Sequence, residues 1–198
     1  MSAKFHWVLM VVFVCGCHAG AASIAESFTS YKLVPNIVTK APANVISVKF
    51  PSGAVVDLGN ELSKPQVALT PSVSWNAGDG LYTVIMFDPD APSPSNPFIS
   101  SFLHWLVINV QKDGIASGDT IAEYLHPYPP PFGDIHRYVF LVYQQRERLP
   151  VKDFIAYSTI GRFKFSPQDF ADNFNLGDPV AGNFFRTQFN SLKTDKLF

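Results

Sequence analysis

The residues best suited to chemistry gather in a few short stretches. Asp88-Pro89-Asp90-Ala91-Pro92 sets two carboxylates on one turn. Its prolines hold φ at about −65° and exclude helix, so the carboxylates sit on a stiff chain segment. Paired carboxylates serve acid–base chemistry or metal binding. They can equally cap the turn itself by accepting backbone N–H groups. His104 and His136 follow, each near the end of an extended segment. A histidine there either completes structural hydrogen bonds or, beside carboxylates, holds a metal or an anion. His136-Arg137-Tyr138 adds a guanidinium and a phenol. In an extended chain, alternation puts His136 and Tyr138 on one face and Arg137 on the other. Arg137 is therefore expected to pair with a carboxylate inside the fold, while Tyr138 joins His136 in a site. Tyr124, Tyr128 and Phe132 flank Pro129-Pro130-Pro131. That run reads as the rigid apolar rim of a cleft, as a plain surface loop, or as a proline-rich ligand for a partner domain.

Other chemistries find less support. There is no G-x-S-x-G elbow, and no P-loop, G-x-G-x-x-G, HExxH or CxxC pattern. His6 and His18 fall in the N-terminal apolar segment and His126 in the proline loop, which is poor metal-ligand spacing. No cofactor or metal is expected, and a hydrolase is the least favoured reading.

Strands must position these residues. Leu81 to Asp88, Leu103 to Gln111 and Arg137 to Gln145 are rich in β-branched and aromatic residues. They are nearly continuous apolar runs, so both faces are expected to be covered. Val45 to Phe50 and Ala54 to Asp57, around Pro51-Ser52-Gly53, read as a hairpin. Residues 23–44 read as a polar N-terminal arm. The loops Pro89 to Ser101 and Leu125 to Asp134 are long enough to suggest function. One helix is expected to start at Ser166-Pro167-Gln168-Asp169, with an N-cap, a proline at the first position and an acid at the third. It should stop near Gly177 and Pro179.

Composition narrows the class. The chain has 198 residues, 47% of them apolar, with 18 Phe, so it can bury a sizeable core. Its net charge of −1 and the absence of a basic stripe exclude nucleic acid as the expected partner. Lys4, the apolar run Trp7 to Val14 and the small residues Cys15 to Ala22 have the order of a secretory signal peptide. Residues 1–21 are thus read as the signal and 22–198 as one domain. The apolar run is too short to span a bilayer, and no other segment is a candidate span. Both cysteines, Cys15 and Cys17, fall within the signal. The mature domain is large enough to fold without disulfides.

The segments DPDAPSPSNP at 88–97, LHWLVINV at 103–110 and IHRYVFLVYQQ at 135–145 resemble the phosphatidylethanolamine-binding protein family, which includes the Raf kinase inhibitor protein. SVSWNAGDGLYT at 72–83 and FADNFNLGDPVAGNFF at 170–185 extend the likeness to roughly residues 30–190. The resemblance implies a mainly β fold. A large central antiparallel sheet would be flanked by a smaller sheet and a few helices, with 170–185 supplying a late helix and final strand. It maps a ligand pocket onto Asp88, Asp90, Ala91 and Pro92, then Phe102 and His104, then Leu125, Tyr128, Pro129 and Pro130, then His136 and Tyr138. The family's ligands there are phosphate, acetate and phosphoethanolamine-like groups, and many members act through protein partners. Three departures stand out. Tyr128 occupies a usual glycine position, where positive φ would make tyrosine costly and its ring would narrow the pocket. Phe102 replaces a common tryptophan. The C-terminal helix that lends a pocket tyrosine in mammalian relatives looks shortened or absent.

The expected function is a secreted, monomeric, non-enzymatic binder of phospholipid headgroups or small anions. The alternatives are an extracellular protein-interaction role, such as protease inhibition or immune modulation, and carriage of small apolar ligands such as odorants.

Overall fold

The computed structural model describes residues 23–92, 101–131, 133–158 and 160–189. The expected signal peptide, residues 93–100 of the first long loop, Phe132 and residues 190–198 lie outside the described residues. The described chain forms eight strands and two α-helices: α1 (Ile24–Ser30), β1 (Asn44–Val45), β2 (Ser47–Lys49), β3 (Ser72–Ser74), β4 (Leu81–Asp88), β5 (Phe102–Val110), β6 (Asp119–Ala122), β7 (His136–Gln145), α2 (Pro167–Asn173) and β8 (Ala181–Thr187).

The central sheet has the order β1-β8-β7-β4-β5-β6, and β2 pairs with β3 in a small second sheet. The ladders of the central sheet are antiparallel except at the edge, where Asn44 and Val45 run parallel to Ala181 and Gly182. The central sheet is therefore mixed rather than wholly antiparallel.

Three long apolar strands sit side by side in the middle because each is covered on both faces. On one face, Ile85, Phe87, Leu141 and Tyr143 pack with Phe28 of α1, Phe170 of α2 and Phe154. On the other, Val84, Met86, Phe140 and Val142 pack with Val48 of β2 and Val73 of β3. Neighbouring residues go to opposite cores, so no polar alternation survives in the sequence.

One expectation at the N-terminal end is corrected. Residues 23–44 are not simply an arm. Ser23 and Glu26 form a capping box, with Ser23 Oγ accepting from Glu26 N at 3.2 Å and Glu26 Oε2 accepting from Ser23 N at 2.8 Å. That starts α1, whose Phe28 is fully buried and meets Phe184 edge-on at 5.3 Å. Residues 45–50 and 54–57 form the expected hairpin, in a short version. Gly53 turns the chain at φ 91°, Val55 bridges Lys49 in the antiparallel sense, Val56 N donates to the Val48 carbonyl at 3.0 Å and Phe50 N to the Ala54 carbonyl at 2.9 Å. β3 pairs with the other edge of β2. Val48 and Val73 thereby close the face over Val84 and Met86. The late helix begins as expected: Ser166 Oγ accepts from Asp169 N at 3.1 Å, and Pro167 is the first helical residue.

Candidate functional site: a histidine-lined cavity

Asp88 is the last residue of β4, and Pro89 ends the strand there. Its carboxylate serves two purposes. Oδ1 accepts the Asp90 N–H at 2.7 Å, an Asx turn that shapes the loop. Oδ2 accepts from His136 Nδ1 at 2.7 Å. Turn-capping and a polar site thus coexist in one side chain.

His136 opens β7, and alternation sends it and Tyr138 to the same side, with rings stacked 6.5 Å apart. Asp90 faces the other way. Its carboxylate takes Arg137 Nε at 2.8 Å, Arg137 Nη2 at 2.6 Å and the Arg137 backbone N–H at 2.9 Å. Arg137 therefore has the carboxylate partner expected of it, and that capture withdraws Asp90 from the site.

His104 reaches the site through an irregularity. Met86 pairs with Trp105 and Phe87 with Leu103, which leaves His104 as an extra residue in β5. A bulge of this kind reverses the local alternation. Leu103 and Trp105 consequently enter opposite cores. The His104 ring turns toward Tyr138, 5.2 Å away. The bulge is clamped. Leu125 N donates to the His104 carbonyl at 2.9 Å, His104 Nδ1 donates to the Leu125 carbonyl at 2.6 Å, and Arg162 Nη1 donates to the Leu103 and His104 carbonyls at 3.2 Å each. Arg162 escaped the sequence reading because it lies far along the chain from the residues it positions.

These side chains surround a cavity of about 400 Å³. Asp88, His104, His136 and Tyr138 supply its polar wall; Ala91, Pro92, Phe102, Leu125 and Pro130 supply the apolar wall; His126 and Tyr128 stand at its rim. Two residues expected in the pocket do not line it. Asp90 is held by Arg137, and Pro129 is buried in its loop while Pro130 faces the cavity. Tyr124 is likewise turned inward, its hydroxyl on the Val67 carbonyl at 2.7 Å. Tyr128 does not plug the space. It is 68% exposed, it is absent from the non-glycine residues with positive φ, and its ring sits beneath Lys64 Nζ at 4.8 Å. His126 is a lining residue that the sequence reading set aside. The available clue was its place between Leu125 and Tyr128.

The two buried histidines present opposite polarity. The Leu125 carbonyl can only accept, so the His104 proton lies on Nδ1 and its Nε2 offers a lone pair. Burial lowers the His104 pKa below the usual histidine value; the Leu125 bond and Asp88 oppose this, and Arg162 and His126 add to it. His104 is therefore neutral near pH 7. For His136, burial also works against the cation. The hydrogen bond and charge of Asp88, with Asp90 and the Pro92 carbonyl, outweigh it and raise the pKa. The cationic form is stabilised relative to a free imidazole, and its Nε2 is buried with no hydrogen-bond partner. Burial, together with the charge of Asp88 and a hydrogen bond to its carboxylate, holds the Tyr138 pKa far above the usual tyrosine value, so the hydroxyl stays protonated with its proton engaged by Asp88. The cavity thus combines the His136 Nε2 donor, a phenol bound to Asp88, an imidazole acceptor and the Asp88 carboxylate. Among the described residues, no cluster of three or more His, Cys, Asp or Glu is arranged to hold a metal, and no helix is long and apolar enough to cross a membrane.

Comparison with known proteins gives a consistent picture. The family model described as phosphatidylethanolamine-binding protein matches residues 47–187. A 26 kDa secreted antigen of Toxocara canis is 42% identical over 81% of this chain; the chain spans 63% of that antigen's length. A Drosophila melanogaster protein that carries the name odorant-binding protein A5 is 31% identical, over 92% of this chain and 90% of its own. A carboxypeptidase Y inhibitor, solved in complex with its cognate proteinase, superposes with a TM-score of 0.68 at 25% identity, covering 83% of this chain and 94% of its own. The names of these relatives speak of antigenicity, binding and inhibition rather than of turnover. On the matched span and on relatives of this extent, the chain belongs to the phosphatidylethanolamine-binding protein family.

Proposed function

We propose that the cavity binds a small phosphate-type anion, such as the phosphoethanolamine headgroup of a phospholipid, and that the protein works outside the cell by binding and not by turnover. The observation that carries this reading is the unpartnered, buried Nε2 of His136. An imidazolium N–H without an acceptor is costly in a buried site, and an anionic oxygen is the group that offsets that cost best. His104 Nε2, as an acceptor, suits a protonated phosphate oxygen or an ammonium group. A cavity of about 400 Å³ accommodates a headgroup rather than two acyl chains. The leader-like N-terminus and the secreted antigen among the relatives support an extracellular setting. Titrating the protein with phosphoethanolamine while following the His104 and His136 imidazole NMR signals tests the proposal. Saturable movement of both rings is expected; rings unmoved at millimolar ligand refute it.

A second reading, binding of a protein partner, is favoured by one specific feature. Leu125, Tyr128 and Phe163 are exposed large apolar residues, the first two lining the cavity and Phe163 against its wall residue Phe102. The inhibitor–proteinase complex of a structural relative makes such a partner a reasonable expectation. Capture from extracellular fluid, compared between the wild type and His104→Ala, separates the readings. Loss of a captured partner in the variant places the partner at the cavity; retention assigns it to another surface.

A further inference from the structure

Arg137 and Arg186 stand directly opposite each other in the β7–β8 ladder. Like charges facing across strands are destabilising, so this pairing calls for a compensating anion. Asp90 supplies one, but only for Arg137: its carboxylate accepts from the Arg137 side chain and backbone. Arg186 has no carboxylate within ion-pair distance among the described residues. Its Nε donates to the Gly59 carbonyl at 2.8 Å, and its guanidinium lies 5.2 Å from the centre of the Tyr31 ring. The nearby Glu61 carboxylate accepts instead from Gln188 Nε2 at 3.3 Å. Both arginines border a second cavity of about 450 Å³, with Lys32 on its edge and Asn36 in its wall. Three cations face it with one engaged carboxylate. The histidine cavity does not share a wall residue with it.

We propose that this second cavity is an anion site for a phosphate dianion, free or as a phosphomonoester. Arg186 is held by its Nε tether and by Tyr31, so its two terminal nitrogens are pre-positioned as a planar pair of donors, the geometry that matches phosphate oxygens. Lys32 contributes a point charge from the exposed side. The site contrasts with the histidine cavity, where Asp88 leaves room for an ammonium; here the excess of positive charge disfavours a zwitterion.

The test follows the arginine side-chain Nε–H NMR signals of the full chain during addition of inorganic phosphate, with sodium chloride at matched ionic strength as the control. A saturable shift of the Arg186 signal, absent with chloride, is expected. Lys32→Gln, at an exposed position, should weaken the phosphate affinity of this site about two- to fivefold, and Lys32→Gln combined with Arg186→Gln should abolish it. Repeating the titration with glycerol 3-phosphate distinguishes the sources: tighter binding than inorganic phosphate assigns the site to phosphomonoesters, weaker binding to the free ion. The His104 and His136 signals report the other cavity independently, so the two proposals fail separately. An Arg186 signal that moves equally with chloride, or a phosphate affinity unchanged in Lys32→Gln, overturns the inference.

Discussion

Asp88→Asn is the substitution that probes the cavity most directly. Asp88 and His136 are almost fully buried, and their bond is 2.7 Å long. An asparagine keeps the shape and an acceptor oxygen but removes the charge. What it forfeits is the charge-assisted part of the bond, about 1.5–3 kcal/mol. Burial then dominates His136, because it is the largest influence on that ring and opposes the cation. The imidazole should titrate below the ordinary histidine value rather than above it. The imidazolium form, with its Nε2 donor, is then disfavoured, and the cavity's principal anion contact weakens. Loss of one charge-assisted bond weakens anion binding about ten- to a hundredfold. Removing the carboxylate also removes a repulsion, which acts in the opposite direction. The donor decides the outcome because Nε2 is open to the ligand, whereas the Asp88 oxygens are already engaged by His136 Nδ1 and the Asp90 N–H. Histidine NMR titration combined with calorimetry of sulfate binding, an anion that does not itself titrate near neutrality, measures both effects. Unchanged His136 titration, or tighter sulfate binding in the variant, would refute this account of the cavity.

In the wild type, sulfate affinity should decline as pH rises above 6.5 through the raised pKa of His136, the side on which the imidazolium is lost; pH-resolved calorimetry checks the direction. The same raised pKa makes the His136 contribution to stability fully present below about pH 6.5 and lost as pH rises through its folded value. His104 does the reverse, losing its contribution as pH falls through its lowered value, so His104→Gln should be less acid-sensitive than the wild type in denaturant melts from pH 7 to 5. Arg137→Lys cannot reproduce the two-pronged contact with Asp90 and should cost about 2–3 kcal/mol in urea unfolding. Tyr128→Ala, at an exposed rim position, should change stability by less than about 0.5 kcal/mol and leave small-anion affinity within about twofold; a large gain in affinity would show that the ring obstructs the cavity after all.

The clamp around His104 gives the site its rigidity. The reciprocal bonds between His104 and Leu125 and the Arg162 bridge to the bulge carbonyls tie β5 to the segment after β6. Both histidines are thereby fixed through Nδ1, one to a backbone carbonyl and one to a carboxylate. Different Nδ1 partners are what separate their titrations. The cavity holds two similar rings whose pKa values are shifted in opposite directions.

Much was legible from the chain alone. Leu81–Asp88 is a strand because β-branched and aromatic residues run unbroken up to Pro89, and the structure places its ends at those residues. The opposed faces of His136 and Arg137 follow from two-residue periodicity, which depends on no distant partner. The Ser23–Glu26 capping box was also written locally and simply passed over. What the tertiary structure decided is of another kind. His104 faces the cavity because β4 and β5 pair with a bulge. Asp88 and Asp90, equivalent in the sequence, divide between His136 and Arg137 because β7 lies next to β4. β2 takes distant β3 on the edge that its hairpin neighbour leaves open, and the pair covers a face of β4. Periodicity and turn chemistry act over a few residues and can be read in one dimension; strand pairing and charge partnership join residues tens of positions apart, and only the folded chain selects among them.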